Sequence, residues 1–154
     1  MTASKNNPAE TSTGQEIVST RLFDAPRELV FKAWTDPNHL VHWWGPNGFT
    51  NTFHEFDLRP GGMWRFVMHG PDGTDYKNEN VFVEIIKNER LVFDHVSGPL
   101  FQAIVTFADE AGKTKVTFRM IFKSAAALER FKPIIVPGNE QNFDRLAAQL
   151  AKMV

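Results

Sequence analysis

Of the side chains in this sequence, the five histidines are best suited to moving protons near neutral pH, because an unperturbed imidazole changes charge there. His39 and His42 stand three apart on a short predicted helix, a spacing at which two imidazoles can share a metal ion. No carboxylate stands at a spacing that would complete a set of three or four ligands. Two solvated polar side chains are therefore expected, and no metal. His54, His69 and His95 fall on predicted strands. Alternation puts His95 on the side of Leu91 and Phe93, an apolar face, so it is the histidine expected to point inward, while His69 shares the outer face with Arg65. An inward histidine is either an acid–base group at a cavity wall or a hydrogen-bonded strand residue. Tyr76, Glu79, Asn80 and Glu84 share one long predicted strand. A carboxyl buried there would have a raised pKa and could act as a general acid, whereas one turned outward is simply solvated. A bulge expected near Asn78-Glu79-Asn80 leaves that register open by one residue.

No nucleophile pattern accompanies these groups. None of the serines sits in Gly-x-Ser-x-Gly. The chain has no cysteine, which removes thiolate catalysis, disulfides and cysteine-ligated zinc or iron–sulfur sites. There is no Gly-x-Gly-x-x-Gly and no phosphate-binding loop, and Gly61-Gly62 reads as a turn. No cofactor is expected. The net charge of −1 points to neither nucleic acid nor an anionic membrane surface as partner. No apolar run approaches the roughly 20 residues needed to span a bilayer. Residues 1–14 are small and polar, without the apolar stretch of a signal peptide, and read as a disordered arm. One domain, 15–154, is expected to follow, in a protein expected to be cytoplasmic.

The aromatic content is unusual: 14 phenylalanines and 4 tryptophans beside 1 tyrosine. Trp43, Trp44, Trp64, Phe66, Met68, Phe82, Phe122 and Phe143 are the members whose positions could line a pocket. The same rings could equally fill a core.

The elements that must position these residues can be read from periodicity. Gln15 to Phe23 alternates as a first strand. Asp24-Ala25-Pro26-Arg27-Glu28 opens a short helix with Asp24 as its cap, and Val30, Ala33 and Trp34 form its apolar face. Asp36-Pro37 opens a second, with Leu40, Trp43 and Trp44 on its apolar side and Gly45-Pro46-Asn47-Gly48 at its end. From Phe49 the period changes to two. Strands are expected over 53–58, 63–69, 76–86, 91–96, 100–108 and 113–122, separated by Gly-, Pro- and Asn-containing turns. In the last of them Val116, Phe118, Met120 and Phe122 share an apolar face, while Lys115, Thr117 and Arg119 leave the other side wet. Ser124 caps a final helical region that Pro133 interrupts and Val136-Pro137-Gly138 breaks or kinks. Helical spacing resumes at Phe143, Leu146, Leu150 and Met153. Six strands with one apolar face need a cover, and only the C-terminal helix is long enough to supply it.

Several words stand in this order: Phe23-Asp24-Ala25-Pro26 with Val30-Phe31-Lys32-Ala33-Trp34, Trp43-Trp44-Gly45-Pro46, Asp57-Leu58-Arg59-Pro60-Gly61-Gly62 with Trp64-Arg65-Phe66, Glu89-Arg90-Leu91-Val92 and Phe143-Asp144-Arg145-Leu146. Over about residues 15–152 they resemble the helix-grip superfamily of birch-pollen allergens and lipid-transfer START domains. The chain is more similar to the bacterial branch named for the activator of heat-shock protein 90 ATPase, which is grouped with polyketide-cyclase-like proteins. The resemblance implies an α+β fold in which a curved antiparallel sheet wraps a long C-terminal helix and encloses a cavity. It implies that the aromatic set above, with His95 and Tyr76 as orienting polar groups, lines that cavity around a small apolar or amphipathic molecule. Relatives include lipid carriers, cyclases and stress-related proteins, so the resemblance also admits an acid–base enzyme or a chaperone-assisting interaction domain. Many relatives place an aromatic residue directly after the glycine that opens the last helix segment. Here Asn139 stands there, either altering the cavity mouth or facing water. A homodimer is the base-rate expectation for a small domain with an exposed sheet edge.

Overall fold

A computed structural model describes residues 15–154. The arm expected over 1–14 lies outside the described residues. The element order is β1 (Glu16–Phe23), α1 (Arg27–Thr35), α2 (Pro37–Trp43), β2 (Thr50–Phe56), β3 (Met63–His69), β4 (Asp75–Ile86), β5 (Arg90–His95), β6 (Phe101–Glu110), β7 (Lys113–Phe122) and α3 (Ala125–Met153). The seven strands form one curved antiparallel sheet in the order β1-β7-β6-β5-β4-β3-β2, with the helices on its inner face. This is the expected α+β helix-grip architecture.

Period-two alternation decides which side of each strand enters the core. Ile17, Trp64, Phe66, Phe82, Leu91, Phe93, Ala103, Val105, Val116 and Phe118 are all buried on the inner face. The outer face is less uniformly wet than expected. Val92 and Ile104 stand opposite each other on β5 and β6 and are both buried there.

Three local expectations need correction. Asp24 does not cap α1. Pro26 holds the cap position in an extended conformation, with no side-chain hydrogen bond, because its fixed φ already suits the helix entrance. Asp36 does cap α2, accepting from the Asn38 amide. The bulge in β4 lies between Phe82 and Glu84, not at Asn78 to Asn80. The Arg-Pro-Gly-Gly turn claims the Phe82 backbone on one side, through Gly61 N–H to Phe82 O at 2.7 Å and Phe82 N–H to Gly62 O at 2.9 Å. Pairing with β5 steps by one residue just beyond it. Both glycines of that turn are required: Gly61 has φ +84°, and a Cβ on Gly62 would stand 2.0 Å from the Asp57 carbonyl oxygen.

The third correction concerns α3, which runs unbroken for 29 residues through Pro133 and Pro137. Each proline removes one helical N–H donor, but both are exposed, so the carbonyls left without partners can turn to water. Ser124 caps the helix as expected. Arg21 on β1 ties down its middle by ion pairs to Glu140 and Asp144.

Candidate functional site

A cavity of about 250 Å³ lies between the inner face of the sheet and the first half of α3. Its floor is built by alternation. Phe66 and Met68 come from β3, Asn78 and Asn80 from β4, Phe93 and His95 from β5, and Phe118 and Met120 from β7. Its roof is α3, with Phe131, Ile134, Ile135 and Gly138 followed by Asn139 and Asn142. From Glu129 to Gly138 no roof residue is fully buried, so this part of the helix rests on the cavity without filling it.

One side wall is the loop after α2, which supplies Trp44, Gly45 and Pro46. Arg145 holds that loop. Its guanidinium donates to the carbonyl oxygens of His42 (3.1 Å), Trp44 (3.2 Å), Gly45 (2.8 Å), Pro46 (2.9 Å) and Phe49 (2.9 Å). These carbonyls close an α-helix end and an irregular turn, so the fork of one arginine satisfies acceptors that the backbone cannot. Asn142 adds a bond to the Trp43 carbonyl at 2.8 Å. The Phe143-Asp144-Arg145-Leu146 word is thereby explained: Phe143 and Leu146 face the core, Asp144 pairs with Arg21, and Arg145 fixes the wall.

His95 sits at the cavity edge, pointing inward as alternation predicts. Its Nδ1–H donates to the Pro99 carbonyl at 2.7 Å, and its ring stacks on Phe101 with centroids 4.7 Å apart. Nε2 stands 2.8 Å from the Asn78 side-chain oxygen and 3.3 Å from the Ser97 hydroxyl. Burial pushes its pKa below the ordinary value, and the bond to Pro99 opposes this only in part.

Among the sequence-predicted pocket residues, the structure brings together Trp44, Phe66, Met68 and His95. Trp43, Trp64, Phe82, Phe122 and Phe143 do not line the cavity. They are fully buried in the core, where Trp64 lies between Phe66, Phe82 and Phe93, and Trp43 packs on Trp34 while donating to the Ala33 carbonyl. Tyr76 is 46% exposed and leans on Phe49, so it orients nothing inside.

The candidate acids also lie outside the cavity. Glu84 pairs with Arg90, and Glu79 with Arg65, both on the solvent side. His69 bridges Thr52 and Asp75 across the outer face at 2.7 Å each. His54 borders a second, more polar pocket of about 390 Å³ on the outer face, with Arg65, Lys77 and Glu79. His39 bonds Gln149 and stands 4.0 Å from Asp36. Among the described residues no three metal-type ligands cluster.

Sequence reasoning placed Asn80 on the long strand without a direction, left Asn139 between the cavity mouth and water, and missed Asn142. Asn80 is 1% exposed, Asn139 and Asn142 are 8% exposed, and all three face the cavity. Asn139 is thus a buried wall residue that donates to the Ser19 hydroxyl at 3.2 Å. Stepping back by two from Phe82 along β4, or by four from Phe143 along α3, would have found Asn80 and Asn139. Among the described residues no helix is long and apolar enough to cross a membrane.

Comparison with known proteins places this geometry. Residues 24–152 match the model of the family described as activator of Hsp90 ATPase homolog 1-like protein. No curated protein matches the chain. Among solved structures, a Nitrosomonas europaea protein is similar with a TM-score of 0.84 at 20% identity, over 93% of this chain and 98% of that one. An Arthrobacter aurescens protein gives 0.84 at 24% identity, over 93% and 90%. A Mycobacterium smegmatis protein gives 0.79 at 25% identity, over 87% and 89%. The first two likenesses bear on the fold alone, whereas the family match spans most of the chain: this protein belongs to the activator of Hsp90 ATPase homolog 1-like family.

Proposed function

We propose that the domain binds a small amphipathic molecule in the cavity under α3. Family membership supports a ligand-binding helix-grip domain in general terms. The observation that carries the finer reading is the cavity wall itself. Rings and thioethers cover most of it, and a few amides and one imidazole are set among them in floor and roof, which is the usual composition of a site that holds and orients a small molecule. A merely imperfect core would not concentrate buried asparagines around its void, since dry packing defects are apolar.

Acid–base catalysis finds less support. Among the described residues no carboxylate lines the cavity, and both His95 nitrogens face protein groups. The test is native mass spectrometry of freshly purified protein, followed by thermal unfolding with small aromatic and aliphatic molecules. A ligand at about a hundred times its dissociation constant adds about 2.7 kcal/mol of stability. A bound mass or a raised melting temperature supports the reading. A protein that carries nothing and responds to nothing in the series contradicts it.

A further inference from the structure

We infer that the guest carries a hydrogen-bond donor, an O–H or N–H, that docks on the side-chain oxygens of Asn139 and Asn142 in the cavity roof, an assignment that rests on the cavity reading above.

The two asparagines stand three apart on α3, so they share one face of that helix, and both line the cavity. Their nitrogens are committed to protein. The Asn142 Nδ2 donates to the Trp43 carbonyl at 2.8 Å, and a carbonyl only accepts, so this amide cannot be turned round without losing that bond. The Asn139 Nδ2 reaches the Ser19 hydroxyl at 3.2 Å and the Met120 sulfur at 3.5 Å, and a thioether likewise only accepts. The oxygens are left over. Among the described residues neither Oδ1 finds a donor, yet neither is sealed off, as the unpartnered oxygen of Asn80 is.

The other acceptors of the wall are engaged already. Asn78 turns its oxygen to His95 and its nitrogen to the Tyr76 carbonyl. The Pro99 carbonyl takes the His95 Nδ1–H, and the carbonyls of Trp44, Gly45 and Pro46 are held by Arg145. The acceptors open to a guest are therefore in the roof. A group that only accepts would meet lone pairs there, whereas an O–H or N–H supplies the donor these oxygens lack. Size narrows the class further. The 250 Å³ volume exceeds the ~150 Å³ cavity that accepts one benzene and falls below the ~300–1,000 Å³ of drug-sized sites, which suits one or two fused rings.

Three probes on one scaffold test this: 1-naphthol, which donates and accepts, 1-methoxynaphthalene, which only accepts, and naphthalene, which does neither. Each is titrated calorimetrically into the full chain and into its Asn142→Leu and Asn139→Leu/Asn142→Leu variants. The wild type is expected to bind 1-naphthol about five- to tenfold tighter than naphthalene, the value of one net hydrogen bond, and 1-methoxynaphthalene no tighter than naphthalene. The ratio of the 1-naphthol and naphthalene affinities, in which a general change of cavity shape cancels, is expected to shrink in Asn142→Leu and to reach one in the double variant. Equal affinity for 1-naphthol and naphthalene in the wild type overturns the assignment. So does 1-methoxynaphthalene binding as tightly as 1-naphthol, or a preference that survives in the double variant. Where a variant loses naphthalene as well, the side-chain amide NMR spectrum of the wild type decides: the Asn139 and Asn142 resonances should move further with 1-naphthol than with 1-methoxynaphthalene, and equal movement overturns the assignment. Failure of the wild type to bind any of the three rejects the cavity reading itself.

Discussion

The two ends of the concave sheet face are built from the same alternation and end differently. At one end, α1 and α2 drive Trp34 and Trp43 down onto the sheet. Trp34 meets Trp43, Phe107 and Phe118 at centroid distances of 4.8, 6.2 and 5.8 Å, and Trp64 stacks beside Phe66 and Phe82. At the other end, α3 passes over the sheet from Glu129 to Gly138 without burying one side chain completely, and a cavity remains. Trp44 stands at the border, touching Trp34 and Trp64 on one side and the cavity on the other. The difference lies in the covering helices. Short helices that start at Asp-Pro and Ala-Pro can tilt rings into a sheet. A long helix held near its start by Leu128 and at its middle by the Arg21 and Arg145 contacts spans the gap between them.

If stability resides at the filled end, the largest effect should come from there. Trp64→Ala should lose about 3–5 kcal/mol in urea unfolding, because a large ring surrounded by rings leaves a cavity that cannot collapse. The matched change at the open end, Phe131→Ala, should cost about 1 kcal/mol. Equal losses would erase the contrast.

The border depends on Arg145. Arg145→Met should cost about 2–3 kcal/mol, since five carbonyl oxygens lose a charged donor. Arg145→Lys should recover less than half of that, because an ammonium cannot fork. Full recovery by lysine would show that charge, not geometry, holds the wall.

Gly138 sharpens the contrast from the roof. A Cβ there would meet only Pro46, at 4.0 Å, so Gly138→Ala should stabilise the helix by about 0.5–1 kcal/mol. A loss on Gly138→Ala would mean that the roof already touches the wall.

The smallest effect is a pH slope. His95 has a folded pKa below its ordinary 6.5, so the unfolded chain takes up a proton first as pH falls. Its contribution is therefore complete above pH 6.5 and is lost as pH falls from there toward the folded value. Urea midpoints measured from about pH 7.5 to about pH 5 should fall in the wild type and fall less in His95→Gln. Identical slopes would detach His95 from the acid sensitivity.

Much of this was legible in the residues. Alternation placed Phe66, Met68 and His95 inward because strand faces follow from a period of two. The Asp36-Pro37 pair and Ser124 announced helix starts because capping is local. What failed depended on tertiary context. Pro133 and Pro137 read as a break or kink, yet both face water and the helix runs through them unbroken. The bulge moved to Phe82 because a distant glycine turn claims that backbone. Aromatic identity could not separate core rings from wall rings: Trp64 and Phe66 stand two apart on one face, and only the covering helix decides which meets space. Asn142 was passed over, and Asn80 and Asn139 were left undirected, because polar residues usually face solvent; only their spacing from Phe82 and Phe143 marks the latter two as inward.

The measurement that bears most directly on the central claim is methionine-methyl NMR during titration with 1-naphthol. Met68 and Met120 line the cavity, while Met63 and Met153 lie outside it, so the methyls divide into reporters and controls. An occupied cavity predicts that the Met68 and Met120 resonances move together and saturate while Met63 and Met153 stay in place. Resonances that all stay in place, or movement confined to Met63 or Met153, would contradict it.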